Sequence, residues 1–138
     1  MAAVYRREKY SVSDLKAHVI FVVKYRQDIL SADGLKVIEE ACRSVALKMN
    51  FQVLEFEGDT DYVHVLIEYP PKLAISQMVN ALKGVSSRRY GLAGFPKPNG
   101  KEALWSARHF TVSVGGAPVE GLKQHIQDQK KLFQNYGA

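Results

Sequence analysis

The chain has 138 residues, 46% hydrophobic and 24% charged, which is the length and composition of one globular domain and excludes a chain that is disordered as a whole. Its 19 basic and 14 acidic side chains give a net charge of +5, which permits a nucleic-acid partner without requiring one. No run approaches the roughly 18 apolar residues of a membrane helix, no apolar signal core follows the N-terminus, and the single Cys42 cannot form an internal disulfide. We therefore expect a cytoplasmic protein with no membrane partner.

The first predicted strand follows a polar N-terminus. Residues 1–14 are rich in charge and are predicted to form a flexible arm, which leaves residues 15–138 as a single domain. Residues 15–25 carry a β-branched and aromatic run with apolar side chains at both alternating positions. This pattern is typical of a strand in the middle of a sheet. The run ends in a basic and aromatic triplet, Lys24, Tyr25 and Arg26.

Two amphipathic helices are predicted next. Ser31 is a suitable N-cap for a helix that runs to about Lys48, and Asn50 is a plausible stop. A second helix from Ile75 to about Arg89 has a buried stripe and a basic C-terminal half. Basic side chains are favoured near a helix C-terminus by the helix dipole, so this basic surface alone does not indicate a ligand.

Residues 51–69 are predicted to form an antiparallel hairpin, because a tight turn at residues 58–61 joins two strand-like runs. Alternate side chains of a strand share a face. The odd-numbered apolar residues of the second strand therefore face the core, and Tyr62 and His64 face the other way. An aromatic hydroxyl and an imidazole thus lie side by side where the strand begins. A half-buried strand with an ordinary histidine explains the same pattern.

The C-terminal third is predicted to contain a loop at residues 91–102, a strand at 110–114 and a last helix at 119–133. In that helix Gln129 falls within the apolar stripe and His125 borders it. A buried amide without a partner costs roughly 1–3 kcal/mol. Either Gln129 bonds to a sheet edge, or it faces a polar site together with His125.

The order of elements predicts the fold class. Strand, helix, strand, strand, helix and strand, followed by one extra helix, indicate an α+β fold of the ferredoxin-like type (β-α-β-β-α-β). We expect an antiparallel sheet with helices on one face plus the extra C-terminal helix.

Several stretches, in this order and spacing, resemble a known family over about residues 15–131. They are His18–Arg26, Asp61–Leu66, Leu82–Arg89, Leu104–Ser106 and Ser113–Pro118 leading into His125–Gln129. Each stretch alone is weak, but together they resemble the small single-tyrosine HUH transposases of bacterial and archaeal insertion sequences, the IS200-like group.

The resemblance implies a homodimer that binds single-stranded DNA hairpins at mobile-element ends, then cuts and rejoins DNA through a covalent phosphotyrosine. It implies Mg²⁺ or Mn²⁺, held by the two histidines of a His-hydrophobic-His strand and by a glutamine one turn after the tyrosine. Such a metal polarises the scissile phosphate, and the covalent link conserves the bond energy. The candidate DNA-binding residues are Lys24, Arg26, Lys83, Arg88 and Arg89.

The sequence departs from this family pattern at two of the four site positions. His64 and Gln129 match as metal ligands, but Tyr62 stands at the first-histidine position and His125 at the nucleophile position. One interpretation is a DNA-binding descendant whose catalysis is impaired or lost. A second exchanges the roles: His64, His125 and Gln129 hold the metal while Tyr62 attacks, or His125 itself attacks. A third is a non-enzymatic module for RNA or single strands, although its usual basic-aromatic strand signature is not found.

Overall fold

The structure is a computed structural model that describes residues 5–98 and 103–114. Its helices and strands are β1 (Arg6–Glu8), β2 (Ser11–Ser13), β3 (Leu15–Val23), α1 (Ala32–Met49), β4 (Gln52–Gly58), β5 (Tyr62–Tyr69), α2 (Ile75–Leu92) and β6 (Trp105–Ser113). The predicted last helix, with His125 and Gln129, lies outside the described residues. Neither described helix is long and apolar enough to cross a lipid bilayer.

The main sheet has four strands in the order β4-β5-β3-β6, and every neighbouring pair is antiparallel. The two central strands, β5 and β3, are not adjacent in the chain, because α1 and β4 intervene. This order is that of a ferredoxin-like α+β fold, so the predicted fold class is confirmed for the described part. The predicted central position of the first strand is also confirmed.

The two faces of the sheet have different roles. The odd-numbered residues of β3 and β5 pack against both helices and form the main core. Phe21 lies in this core without solvent exposure, and its ring centroid is 5.6 Å from that of Trp105. Ile20 and Val22 lie on the opposite face, in a separate apolar cluster with Tyr62 and Phe110. Both helices therefore cover one face, as predicted, and the other face is available for chemistry.

Both predicted ends of α1 are confirmed. The Ser31 hydroxyl accepts a hydrogen bond from the Gly34 amide at 3.1 Å, which satisfies a free N–H of the first turn. Asn50 ends the helix in the left-handed region, with φ 63° and ψ 45°. Gly34 is required by close packing, since a Cβ atom there would lie 2.9 Å from the Tyr90 ring. The capped helix thereby fixes the layer that supports β3 and β5.

The last described strand is longer than predicted. It begins at Trp105 instead of residue 110, because three exposed residues at 107–109, two of them the polar Arg108 and His109, hide the strand pattern of an edge strand. Its start is held by α2: the Trp105 indole donates to Ser86 Oγ at 2.9 Å, and the Leu104 amide donates to Ser87 Oγ at 3.1 Å. These contacts anchor the chain to α2 where it enters β6.

The N-terminal arm contains a short hairpin, β1–β2, that the sequence does not indicate. Arg6 joins it to the main sheet by donating from Nε and Nη2 to the two carboxylate oxygens of Glu68, at 2.8 and 2.7 Å. Both side chains are only about one-tenth exposed, at 11% and 10%. A two-oxygen contact of this kind is geometrically specific, so this ion pair ties the hairpin to the main sheet in one orientation.

We expect Glu68→Gln to release the hairpin without unfolding the domain. Breaking a buried pair costs about 3–5 kcal/mol when the remaining charge stays buried. Arg6 lies on a terminal hairpin and reaches water by detaching, so we expect a global loss of only about 1 kcal/mol. Hydrogen exchange should accelerate in residues 6–13 and stay slow in α1. Lys16→Ala removes the ion pair between Lys16 and Asp14 and is the control. Unchanged hydrogen exchange in Glu68→Gln would show that the Arg6–Glu68 pair does not hold the hairpin.

Candidate metal and nucleic-acid site

His64 is the third residue of β5, on the sheet face opposite the helices, and only 6% of it is exposed. In the register of the sheet it faces Ile20 of β3, while His18 faces Leu66. His18 and His64 are therefore diagonal neighbours on one face, a position from which long or aromatic side chains make contact. The alternation predicted for β5 is confirmed, with Tyr62 and His64 on the face away from the main core.

His18 makes the closest contact to His64 that the structure describes. Its Nδ1 lies 2.5 Å from His64 Nε2, and the two rings stack with centroids 4.7 Å apart and planes at 25°. His18 is 2% exposed. A neutral imidazole has one donor and one acceptor nitrogen, so two facing nitrogens share one proton. His18 was not among the predicted site residues; the available signal was a histidine inside an otherwise apolar central strand.

Tyr62 and Glu57 lie on the same sheet face as His64. Tyr62 begins β5, is half-buried, and packs on the cluster of Ile20 and Val22. Glu57 of β4 lies directly opposite His64 in the register, and its Oε2 is 3.9 Å from His64 Nδ1. The Glu57 side chain is 61% exposed. The predicted pairing of a hydroxyl and an imidazole on one face is thus joined by a second imidazole and a carboxylate.

The donors of this face fit a divalent metal in part. Imidazole nitrogens are good ligands for transition metals, and a pair of them is present. Residues 5–98 and 103–114 contain no group of three His, Cys, Asp or Glu side chains that could hold a metal ion. Gln129, the other predicted ligand, lies outside the described residues. A metal held here would need ligands beyond the two histidines.

The triplet Lys24–Arg26 forms a strained turn beside the start of β5. Tyr25 and Arg26 both have positive φ, 60° and 52°, a conformation that is uncommon for residues other than glycine and is enriched at functional sites. The turn is tied to the β5 entry, since the Val23 amide donates to the Asp61 carbonyl at 2.8 Å and Arg26 Nη2 lies 3.4 Å from Asp61 Oδ2. Arg26 Nε is buried and has no hydrogen-bond partner in the described part of the chain.

The three cations predicted on α2 have different surroundings. Lys83 donates to the carbonyl oxygens of Ser106 at 2.7 Å and Ala107 at 3.3 Å, and burial lowers the pKa of its ammonium group. Arg89 donates from Nη2 to Ser44 Oγ at 3.1 Å and so links α2 to α1. Both side chains hold elements of the fold together.

Arg88 is exposed, and the structure shows no contact for it like those of Lys83 and Arg89 in the described part of the chain. It lines an open groove of about 430 Å³ together with Ser87, Gly91 and Lys97. The groove lies along the C-terminal half of α2 and combines two cations with small residues and the exposed Leu92. Among the predicted α2 contacts, Arg88 is the one best placed to reach a ligand.

The fold and this face define a class: a ferredoxin-like α+β domain with helices on one side of the sheet and a histidine pair on the other. A family model described as "Transposase IS200 like" matches residues 11–129. The chain therefore belongs to the IS200-like transposase family.

Two curated relatives support this assignment. The chain is 41% identical over 97 residues to the ISDra2 transposase TnpA of Deinococcus radiodurans, a match that covers 68% of this chain and 65% of that protein. It is 27% identical over 123 residues to the transposase for insertion sequence element IS200 of Salmonella typhimurium, covering 85% and 80%. The chain thus spans slightly less than two thirds of the first relative.

Two solved structures share the fold. The crystal structure of a presumed transposase from Deinococcus radiodurans R1 matches with a TM-score of 0.76 and 27% identity, over 90% of this chain and 97% of that one. A REP-associated tyrosine transposase bound to a REP hairpin matches with a TM-score of 0.58 over 90% of this chain and 68% of that one. At 14% identity the second match indicates a common fold alone.

Proposed function

We propose that this chain binds single-stranded DNA hairpins at the ends of a mobile element, and that its DNA cleavage and rejoining are impaired. The observation that carries the proposal is Tyr62 beside His64 in a chain that matches the IS200-like transposases over residues 11–129. The scaffold of the family is kept, while the first-histidine position and the nucleophile position, His125, hold other residues. We therefore expect the chain to bind hairpin DNA even though its cleavage and rejoining of DNA are impaired.

The described surface supports DNA binding at two places. Arg88 and Lys97 line the groove on α2, and the strained turn carries Lys24 and Arg26 around an exposed Tyr25. Basic side chains neutralise phosphates, and exposed aromatic rings stack on unpaired bases. A protein of the same fold was solved with a REP hairpin bound.

The chemistry of the site depends on a divalent ion, Mg²⁺ or Mn²⁺ in the family pattern. When bound, such an ion polarises the phosphodiester that is to be cut. In this chain His64 and Gln129 keep the ligand positions of the pattern. Without a tyrosine at position 125, the hydroxyl that attacks phosphorus and releases the 3′ oxygen is absent. Strand transfer is therefore expected to be slow or absent.

A second candidate is an active site with exchanged roles, favoured by Tyr62 lying on the same sheet face as His64. In this arrangement the Tyr62 hydroxyl attacks the phosphate, and His125 joins His64 and Gln129 as a ligand. Wild-type protein would then form a covalent complex with hairpin DNA, and Tyr62→Phe would abolish it. A homodimer in the cytoplasm is part of the same proposal, and light scattering on purified protein tests the dimer.

Binding to a labelled single-stranded hairpin, measured by fluorescence anisotropy, tests the main proposal. We expect affinity to fall steeply between about 50 and 200 mM salt, because phosphate contacts release counterions. Arg88→Ala should weaken binding and reduce the salt slope by about 1. Arg43→Ala is a matched control, since Arg43 is an exposed helical arginine paired with Glu39 on α1.

A flat salt response, or equal loss of affinity in Arg88→Ala and Arg43→Ala, would contradict the assigned surface. Equal affinity for a blunt duplex of the same length would contradict the preference for single-stranded hairpins. None of these binding measurements requires a metal, so their results do not depend on whether the protein cleaves DNA.

A further inference from the structure

We propose that His18 is a metal ligand, so that a transition metal is held by His18 and His64 from two neighbouring strands. The inference deepens the proposed function and takes from it the location of the metal site. In this proposal His18 of β3 supplies the imidazole that is absent from β5, where Tyr62 stands at the first-histidine position. The structure places the His18 Nδ1 atom 2.5 Å from His64 Nε2, with no other described imidazole nearby.

The geometry of the pair supports a shared cation. Facing imidazole nitrogens either share a proton or place both lone pairs on one metal ion. With metal–nitrogen bonds of about 2.0–2.1 Å, two ligands on one ion have their nitrogens about 3 Å apart. The observed contact of 2.5 Å is shorter than that distance, so the two rings must turn apart for an ion to bind both nitrogens.

The burial of the pair supports the same conclusion. His18 and His64 are 2% and 6% exposed, and both strands are central in the sheet. A ligand pair on rigid central strands is held more firmly than one on loops. The carboxylate of Glu57, 3.9 Å from His64 Nδ1, is suited to orient the His64 ring through its other nitrogen. Such outer partners fix the tautomer of a ligating histidine.

The donor set also predicts which metal binds. Imidazole nitrogens favour Zn²⁺, Co²⁺, Ni²⁺ or Cu²⁺, whereas Mg²⁺ prefers oxygen ligands. A site with two imidazoles should therefore discriminate against Mg²⁺ more strongly than a site with one imidazole and one amide. This preference distinguishes the His18–His64 site from a site built on His64 and Gln129 alone.

Titration of the tag-free, EDTA-treated full chain with Co²⁺, followed by calorimetry and visible absorption, tests the proposal. We expect one equivalent to bind and His18→Gln to weaken it by at least about 10-fold. His109→Gln is the matched control, because His109 lies opposite Phe21 in the register and hence on the helix-covered face. Its Co²⁺ affinity should equal that of the wild type. Wild-type affinity in His18→Gln, or no Co²⁺ binding at all, would overturn the proposal.

Since His18 is buried, His18→Gln is first checked for native circular dichroism. A second measurement avoids that variant: Cu²⁺-loaded protein carrying His125→Phe is studied by pulsed electron paramagnetic resonance. Coupling to the remote nitrogens of two imidazoles is expected, from His18 and His64. Coupling to one imidazole only would overturn the proposal. Hairpin binding measured without metal reports on the proposed function separately, so the two can fail independently.

Discussion

The double variant Tyr62→His/His125→Tyr should form a covalent complex with single-stranded hairpin DNA in the presence of Mn²⁺, whereas the native chain should not. The variant reinstates both residues in which this chain departs from the pattern of its family. Hairpin oligonucleotides taken from the DNA that flanks its own gene are the substrates. The product is a protein–DNA band that survives denaturing gel electrophoresis and disappears on nuclease treatment.

The size of the effect follows from the role of the nucleophile. Losing a covalent nucleophile can cost on the order of 10⁶ in rate, because no other group forms the intermediate. A tyrosine at position 125 restores the attacking hydroxyl, whose bond to phosphorus replaces the bond to the 3′ oxygen. A histidine at position 62 restores a second imidazole on the strand of His64. We therefore expect a change from no detectable complex to a readily visible one.

The single variants separate the contributions of the two positions. If His18 already supplies a second imidazole, His125→Tyr alone should form the complex, and adding Tyr62→His should increase its yield. If it does not, the double variant alone should react. His125→Phe is the control, since it changes the same position without providing a hydroxyl.

Two outcomes would contradict this prediction. A covalent complex in the native chain that is lost in Tyr62→Phe would establish the exchanged roles instead. A double variant that binds the hairpin with wild-type affinity and still gives no complex would show that residues 62 and 125 are not the cause of impaired catalysis.

The fold could be predicted because its signals are local. Ser31 and Asn50 mark the ends of α1 by their own side-chain and backbone chemistry, and both ends are confirmed. The alternation in β5 predicts its two faces without knowledge of its neighbours. The start of β6 at Trp105 could not be predicted, because an edge strand exposes polar residues on both sides.

The histidine pair could not be predicted, because it depends on register. Position 18 meets position 64 only because Ile20 faces His64 across the two strands. A slip of one residue would move His18 to the helix-covered face, and nothing local in β3 fixes that alignment. The same limit applies to Lys83: its charge predicts a phosphate contact, while its bonds to two carbonyls of β6 become visible only when α2 and β6 are placed side by side.

Phe21→Ala should destabilise the domain by about 3–5 kcal/mol, the usual cost of removing a buried phenyl ring and leaving a cavity. Phe21 is fully buried between the sheet and the helices and lies against Trp105. The midpoint of thermal unfolding should fall by roughly 10 °C or more, measured by circular dichroism. Leu47→Ala removes a side chain that is 85% exposed on α1, and this control should change stability by less than about 0.5 kcal/mol.

The same variant tests whether the two faces of the sheet are separate in function. Phe21 and His64 lie on neighbouring strands but on opposite faces, so the cavity in Phe21→Ala opens away from the histidine pair. Below its unfolding temperature, the variant should therefore bind Co²⁺ and hairpin DNA as the native chain does. Loss of Co²⁺ binding in protein that is still folded would mean that core packing positions the histidines. In that case the helix-covered face would be part of the metal site and not only its support.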